Sequence, residues 1–584
     1  MRIESITVTN FCSCTNVTIP LNSFNPVIGY NNSGKSNILR AISWLLRKSV
    51  LQEHSFNDPS QSIFVEGLIS NVSLTILPAN QQAQVARYIN QGTLHIRRRQ
   101  DAPGAPAAQV RIEVMDQTTG EWVANPVGLD NALGVLFPDP LYIEAMDDAA
   151  DDIGKFAAKN TIGLLLKYTV EQIRTNNAAS LQTLLADLQT LDSHLTGPQR
   201  LAELNALETQ ASTEISEFFP GLGMHLDIQS PTLEELVKGA TISLSDTDGH
   251  KRPFTSFGHG AQRTVQMALI KLLASQMNRR AANGATIVLL IDEPELYLHP
   301  QAIELLRDAL ETLSRGNFQV IFSTHSPLML GNSHILNTSI IYRGNNDETL
   351  TRVKLSTATS VIAAHPHHAS AVFSIQNATY FLFSEKVLVV EGKTERMLLP
   401  EIYKTVTTRS LSQEKTCIIE GQSSTSTRPI TQVLQSVGYT PKAVVDLDYI
   451  FKIAPSNGLI DATSQDFIDC KNWFTQNHTN LGFHLGSDGF PSRKGQDGTF
   501  SNLTPEEAFE RLALAMESQV SSLCGVLRNN GIWAWNKGAI ESHLGIQKND
   551  SARMEFITTM AATGDLNHAT HPADLQAFVH WLQT

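Results

Sequence analysis

The stretch that most limits what this 584-residue chain can fold into is Gly29-Tyr30-Asn31-Asn32-Ser33-Gly34-Lys35-Ser36, read with its flanks. Before it, short β-like runs end at Pro26-Val27-Ile28. After it, Asn37 to Leu46 continue at helical spacing. A strand, then GxxxxGKS, then a helix is the full context a phosphate-binding loop requires. The glycines let backbone N–H groups wrap an anion at the positive end of the new helix. Gly29, Asn32, Gly34 and Asn37 are expected to line a nucleotide, Lys35 to reach its β/γ-phosphates, and Ser36 to ligate Mg²⁺. A chance glycine-rich turn would not need both flanks.

Three further segments extend this pattern. Ser256-Phe257-Gly258-His259-Gly260-Ala261-Gln262-Arg263 leads into an apolar helix, and its bare N–H groups, with Gly258, Gly260 and Gln262, again suit an anion. Ile287 to Ile291 is a buried-strand run entering Asp292-Glu293-Pro294-Glu295 and then Leu298-His299-Pro300. Asp292 is expected to hold Mg²⁺ or its water, and Glu293 to orient or activate the attacking water. Phe318 to Phe322 is a third strand, ending in Ser323-Thr324-His325-Ser326. A lone histidine is usually a core residue, but His325 at this strand end suits a γ-phosphate sensor. Together these residues resemble the ATP-binding cassette superfamily, most closely the SMC-like recombination and repair ATPases with a split head. The resemblance implies two heads sandwiching two ATP molecules, each signature facing the other copy's loop. Cys12 and Cys14 stand where that family often has a basic residue, and His259 where its signature often has glycine.

The C-terminal part carries acids. Val387-Leu388-Val389-Val390 runs into Glu391-Gly392, with Glu395 one turn later, and Ala443-Val444-Val445 runs into Asp446-Leu447-Asp448. Acids at the ends of neighbouring parallel strands converge on one crevice, and they repel unless a divalent cation neutralises them. Any one of them could be a turn or capping acid; the ordered set resembles the Toprim fold of topoisomerases, primases and some nucleases. Gly531 to Glu541 reads as strand, turn and helix start, with Lys537 placed to support a phosphodiester transition state and Glu541 to ligate metal. Alone, Lys537 is a turn residue.

An ABC-type ATPase joined to a Toprim domain ending in KGxxE resembles the OLD (overcoming lysogenization defect) family of nucleases. The implied fold class is α/β: an ABC/SMC-like head over residues 1–383 with a helical insert at about 150–215, then a Toprim domain over 384–584. The resemblance implies a Mg²⁺- or Mn²⁺-dependent DNA endonuclease in anti-phage defence, gated by ATP. Glu391, Glu395, Asp446, Asp448 and Glu541 would form a two-metal cluster, with Lys537 beside the scissile phosphate. It also implies a homodimer or higher oligomer that acts alone or beside a helicase or a reverse-transcriptase-linked nucleic acid. From another class, a DNA-binding or repair ATPase with an inactive or regulatory Toprim domain fits the same motifs. A topoisomerase would need a tyrosine nucleophile in a suitable further domain, and no such domain is recognisable.

Several segments have weaker meaning. Leu181, Leu184, Leu185, Leu188, Leu191 and Leu195 form an apolar stripe resumed by Leu201, Leu204 and Leu207 after Gly197-Pro198, a helical hairpin. The stripe is either internal packing or a seam for a second copy; the family resemblance favours the seam. Ile63 to Val123 reads as β-rich, with VEGLI, VSLTIL, TLHIRRR and VRIEVM as strands, and Arg97-Arg98-Arg99 as a solvated strand end or a phosphate contact. His365-Pro366-His367-His368 lacks partner ligands at metal spacing and reads as a linker turn. Arg493 and Lys494, in the Phe490–Phe500 loop, are candidate DNA contacts. The five scattered cysteines suggest neither disulfides nor zinc, and no leader or membrane-length apolar run is evident, so a cytoplasmic protein is expected. A net charge of -13 argues against nucleic-acid binding by the whole surface but permits a local basic groove.

Overall fold

The computed structural model describes residues 1–137, 140–144, 178–195, 200–226, 242–245, 248–280, 285–331, 334, 337–344, 346–352, 381–421, 423–495 and 498–584. The histidine cluster at His365, His367 and His368 lies outside them, as do the side chains of Leu181, Leu184, Leu185, Leu188 and Leu191. Two compact units form: one of Met1, Ser73–Gln82 and Asn131–Val320, the other of Arg2–Val72, Ala83–Asp130 and Ile321–Thr584.

The larger unit contains two sheets that matter for function. The first is antiparallel, in the order Cys14–Pro20, Arg2–Phe11, Ile63–Ser70, Leu94–Gln100, Arg111–Met115 and Trp122–Ala124. Its buried face meets the helix Lys35–Leu46 so closely that a Cβ on Gly67 would lie 2.6 Å from Leu45 Cδ2. The arginine run is consumed internally. Arg98 is buried, with Nε donating to the Leu45 carbonyl at 3.0 Å and Nη2 to Asp130 at 2.9 Å, so it caps the end of that helix. Arg97 bonds Glu113 and lies 4.2 Å from the Trp122 ring centroid, and Arg99 bonds Asp101. The expected strand at VSLTIL is instead a single 3-10 turn over Leu74–Ile76. Asn71 in the left-handed region ends the preceding strand, and Ser73 and Thr75 bond each other through their hydroxyls at 2.7 Å.

The second sheet is wholly parallel, in the order Thr416–Glu420, Lys386–Val390, Lys442–Val445 and Ile532–Ala534. Parallel sheets are buried on both faces, which is why these strands read as continuous apolar runs. Val387 and Val389 enter one core with Ile430, Phe451, Phe474 and Leu523, whereas Leu388 and Val390 enter the other with Leu399, Trp535, Leu544 and Phe578. The first of these cores also includes Ile28 and Ile340, from the strands Phe24–Gly29 and Ser339–Arg343. Those two strands pair in parallel, Ile341 opposite Gly29.

Arg352 clamps this junction. Its guanidinium lies between the rings of Tyr342 and Tyr439, 4.5 and 3.9 Å from their centroids, and donates to the carbonyls of Gly438 and, at 3.1 Å, Glu385. Glu385 immediately precedes the strand that ends in Glu391.

In the smaller unit, Leu141–Ile143 pairs in parallel with Ile287–Asp292. Helices cover Ala178–Leu195, Ala202–Phe218, His259–Arg280 and Pro300–Ser314. The expected helical hairpin is therefore present, and Phe218 and Phe219 at its far end are 78% and 67% exposed. Among the described residues no helix is long and apolar enough to cross a membrane.

Replacing Arg352 by Ala should lower unfolding free energy by about 1–3 kcal/mol in denaturant titrations. Arg352→Lys should rescue little of it, because an ammonium cannot stack between two rings while bonding two carbonyls.

Candidate active site

Each acid is placed by a strand end. Glu391 follows Lys386–Val390 and Asp446 follows Lys442–Val445; these strands are parallel neighbours, so their last residues emerge together. Glu395 lies in the first turn of the helix Lys393–Thr407, and Asp448 opens the helix Asp448–Lys452. The strand Ile532–Ala534 pairs with Lys442–Val445 and delivers Glu541 in the short helix Ile540–Leu544. All five acids of the expected cluster are thus gathered at one edge of one sheet.

Their surroundings set their chemistry. Glu395 and Glu541 are buried, and Glu541 accepts from Thr394 Oγ1 at 2.6 Å with Arg553 at 3.8 Å. Burial first, and neighbouring carboxylates second, push the acids up: Glu391 by Asp448, and Asp446 well above its ordinary value by Glu395 and Glu391. Glu395 reaches about 7, and Asp448 is raised by burial and by Glu506 against the pull of Lys452. Glu391 Oε2 and Asp446 Oδ1 are buried without a hydrogen-bond partner. Buried lone pairs of this kind, among acids that repel, fit a divalent cation. As the side chains stand, no three acid, histidine or cysteine groups among the described residues are close enough to share one ion. A positive charge already offsets the repulsion: burial works against the Lys548 ammonium, but Glu541, Asp446, Glu395 and Glu391 outweigh it and raise its pKa.

A crevice of about 440 Å³ opens over the acids, lined by Glu391, Asp446 and Asp448 with Lys452, Arg493, Glu506 and Lys548 among others. Lys537 is not in its lining; its Nζ pairs with Glu517 at 2.6 Å. Lys548 and Glu506 were not legible as site residues. Lys548 follows Glu541 in an irregular turn with no motif, and Glu506 sits in Thr504-Pro505-Glu506-Glu507, where the capping box formed by Thr504 and Glu507 signals a helix start and nothing more.

The phosphate loop is built as its spacing requires. Gly34 has φ of 104°, and a Cβ there would lie 2.1 Å from Thr349 Oγ1. Lys35 Nζ donates to the carbonyls of Gly29 and Tyr30 at 3.1 and 3.0 Å, and Asn37 Nδ2 to Ser13 Oγ at 2.9 Å. Ser36 lies in the first helical turn. Arg343 donates to the Asn32 carbonyl at 3.2 Å, so a basic group borders the loop although Cys12 and Cys14 do not supply one. Burial pushes Cys14 up to about 12, which keeps it a neutral thiol. His325 directly follows the strand Phe318–Thr324 and is half-buried. In the smaller unit, Asp292 closes its strand and is buried, Glu293 follows at φ 47°, and Arg263 reaches both their carbonyls at 3.5 and 3.4 Å. Gly258 precedes the helix His259–Arg280, Gln262 turns back to the Phe257 carbonyl at 2.8 Å, and Gly260 lies against the Tyr297 carbonyl.

The raised acids give stability a pH slope. Folded Glu395 holds a proton that the unfolded chain releases, so stability falls as pH rises from 4.5 towards about 7. Melting temperatures of the metal-free protein should drop through this window, Glu395→Gln should flatten the drop, and Mg²⁺ or Mn²⁺ should restore stability most at its upper end. A melting temperature that rises with pH there would reject the assignment.

Comparisons with known proteins agree with this architecture. Residues 1–94 match a family described as an AAA ATPase domain, and residues 134–331 one described as AAA domain, putative AbiEii toxin, Type IV TA system. Residues 382–448, which carry Glu391, Glu395, Asp446 and Asp448, match the Overcoming lysogenization defect protein-like TOPRIM domain. The Old nuclease of Escherichia phage P2 is 32% identical over 94% of this chain and 94% of its own. The endonuclease GajA of Bacillus cereus (strain VD045) is 22% identical over 69% of this chain and 68% of its own. An Smc head bound to the C-winged helix domain of ScpA aligns at a TM-score of 0.38 and 17% identity, covering 61% of this chain and 100% of that one. With near full-length similarity to the Old nuclease, and the Toprim match lying on its acid-bearing strands, the chain belongs to the OLD family.

Proposed function

We propose that this protein is a DNA endonuclease of anti-phage defence, dependent on Mg²⁺ or Mn²⁺ and gated by ATP. The observation that carries this reading is the crevice of half-buried, mutually repelling carboxylates with orphaned oxygens on Glu391 and Asp446. Two divalent ions held by Glu391, Glu395, Asp446, Asp448 and Glu541 would supply an activated water and charge for the leaving oxygen. Lys548 steadies the acids and meets the negative charge that builds on the scissile phosphate. It therefore takes the role that the KGxxE spacing suggested for Lys537. Thr394 and Arg553 fix the Glu541 carboxylate.

ATP acts as the control ligand, bound by Gly29, Asn32, Gly34, Lys35, Ser36 and Asn37; Asp292 is assigned as a Mg²⁺ ligand. Gly258, Gly260 and Gln262 would form the signature that faces a second copy's nucleotide. Glu293 and His325 serve its hydrolysis. Phosphodiester hydrolysis is already downhill, so nucleotide shifts populations rather than driving the cut. The Arg352 clamp supports such gating, since it ties the strand beside the phosphate loop to the strand that ends in Glu391. We place the ATPase domain at 1–383 and the Toprim nuclease domain at 384–584, in a homodimer or higher oligomer of the cytoplasm. It would act alone or with a helicase or a reverse-transcriptase-linked nucleic acid as partner.

Incubation with plasmid DNA and Mg²⁺ or Mn²⁺, with and without ATP, should yield nicked or linear product at ATP-dependent rates. Unchanged DNA across metals would favour the regulatory Toprim reading instead. Glu391→Ala and Asp448→Ala should abolish cutting while leaving the oligomeric state unchanged. Lys548→Ala should slow cutting at least about 100-fold, whereas Lys537→Ala should leave most of it; the reverse order would return the phosphate role to Lys537.

A further inference from the structure

Between two helices of the acid-bearing sheet, the chain projects a braced hairpin, His484–Leu485 paired with Pro491–Ser492, with Ser501 bonded to both arms. Its base is fixed: Phe490 is buried in the core, and Asn502 N donates to the Gly482 carbonyl at 2.8 Å. Ser501 ties both arms, accepting from His484 N at 2.9 Å and donating to the Ser492 carbonyl at 2.7 Å. Thr499 Oγ1 lies 3.0 Å from His484 Nε2. Beyond these bonds, Lys494 and Phe500 face each other in an antiparallel bridge, and Ser501 N donates to the Arg493 carbonyl at 3.1 Å.

This braced tip ends in an aromatic ring that the core does not use. Phe500 is 64% exposed, and the Lys494 ammonium lies 4.7 Å from its ring centroid. Its neighbour Arg493 lines the crevice over Glu391, Asp446 and Asp448, beside Lys452 and Lys548. Arg493, Lys452 and Lys548 thus place cations among the acids of the crevice where an anionic strand would be cut. A single exposed ring flanked by cations is too small an apolar surface for a protein partner. It does match a single-strand platform, on which a ring stacks a base while cations follow the backbone.

We propose that Phe500 stacks an unpaired base of the DNA strand lying in the crevice, with Arg493 and Lys494 on the adjoining phosphates. This makes the hairpin a substrate selector for DNA with accessible bases: gapped, frayed or single-stranded. The proposal rests on the nuclease reading for its location, but the stacking contact itself needs no cutting. It lies outside the acid cluster and does not touch the reacting atoms.

The test is a fluorescence titration in EDTA, with 2-aminopurine placed in the gap of a gapped duplex or within a fully paired control. The wild-type protein should quench the gapped probe and bind it more tightly than the control. Phe500→Ala should lose the quenching and weaken gapped-probe binding about tenfold or more, with paired-duplex binding unchanged. Phe500→Trp should retain both. Equal binding and quenching by wild type and Phe500→Ala would overturn the proposal, as would an equal loss on gapped and paired DNA, which indicates a misfolded hairpin or a nonspecific contact. Matching melting temperatures of the variants exclude simple unfolding. Plasmid cutting by the wild type, assayed separately, decides the nuclease reading independently of the quenching result.

Discussion

Mutual repulsion among buried carboxylates is the constraint around which the C-terminal part is organised. Glu391, Glu395, Asp446 and Asp448 each raise the pKa of at least one neighbour or are raised by one, and burial adds to the cost of their charge. Such a cluster persists only if its backbone is held by something stronger. The four parallel strands, apolar on both faces, supply that hold. Lys548, Thr394 and Arg553 reduce the strain locally without removing it. What remains is a standing attraction for divalent cations, generated by the fold itself.

The legible and illegible parts of the sequence divide along a physical line. Strand–GxxxxGKS–helix, the Asp292-Glu293 strand end and the acid-terminated strands of the second sheet are local patterns, in which apolar runs and the residues that stop them lie within a dozen positions of each other. They fold as they read. VSLTIL misled because β-branched and apolar residues signal a strand only where a partner edge exists, and Asn71 turns the chain away from one. Arg97, Arg98 and Arg99 misled in the opposite sense. A charge run implies solvent until the carboxylates of Glu113 and Asp130 arrive from elsewhere in the chain and Asp101 folds back on Arg99. Lys548 and Glu506 were invisible for the same reason. Their part in the crevice depends on where an irregular turn and an unrelated helix deliver them, which spacing does not encode.

Beyond sharing a core, the nucleotide half and the acid half meet through specific polar contacts. Besides the Arg352 clamp, Tyr30 of the phosphate loop points its hydroxyl at the Ser412 carbonyl at 3.5 Å, with the Lys415 ammonium 5.1 Å from its ring centroid. Lys415 in turn pairs with Glu385 at 2.6 Å, next to the strand that ends in Glu391. Both routes therefore arrive at Glu385. Coupling requires an element with two arrangements that both sites bias, and the Glu385–Glu391 segment is the one on which these contacts converge.

The Arg352 clamp also bears on how such a protein can be rebuilt. By motif, the chain is a cassette followed by a second cassette, with a natural seam near residue 384. By bonding, the seam is sewn shut, because the guanidinium on one side donates to carbonyls and lies over an aromatic face on the other. Exchanging either half for a relative's would strip this half-buried cation of its partners unless Tyr439 and the turn at Gly438 travelled with it. The two halves are separable as patterns but heritable only as a pair.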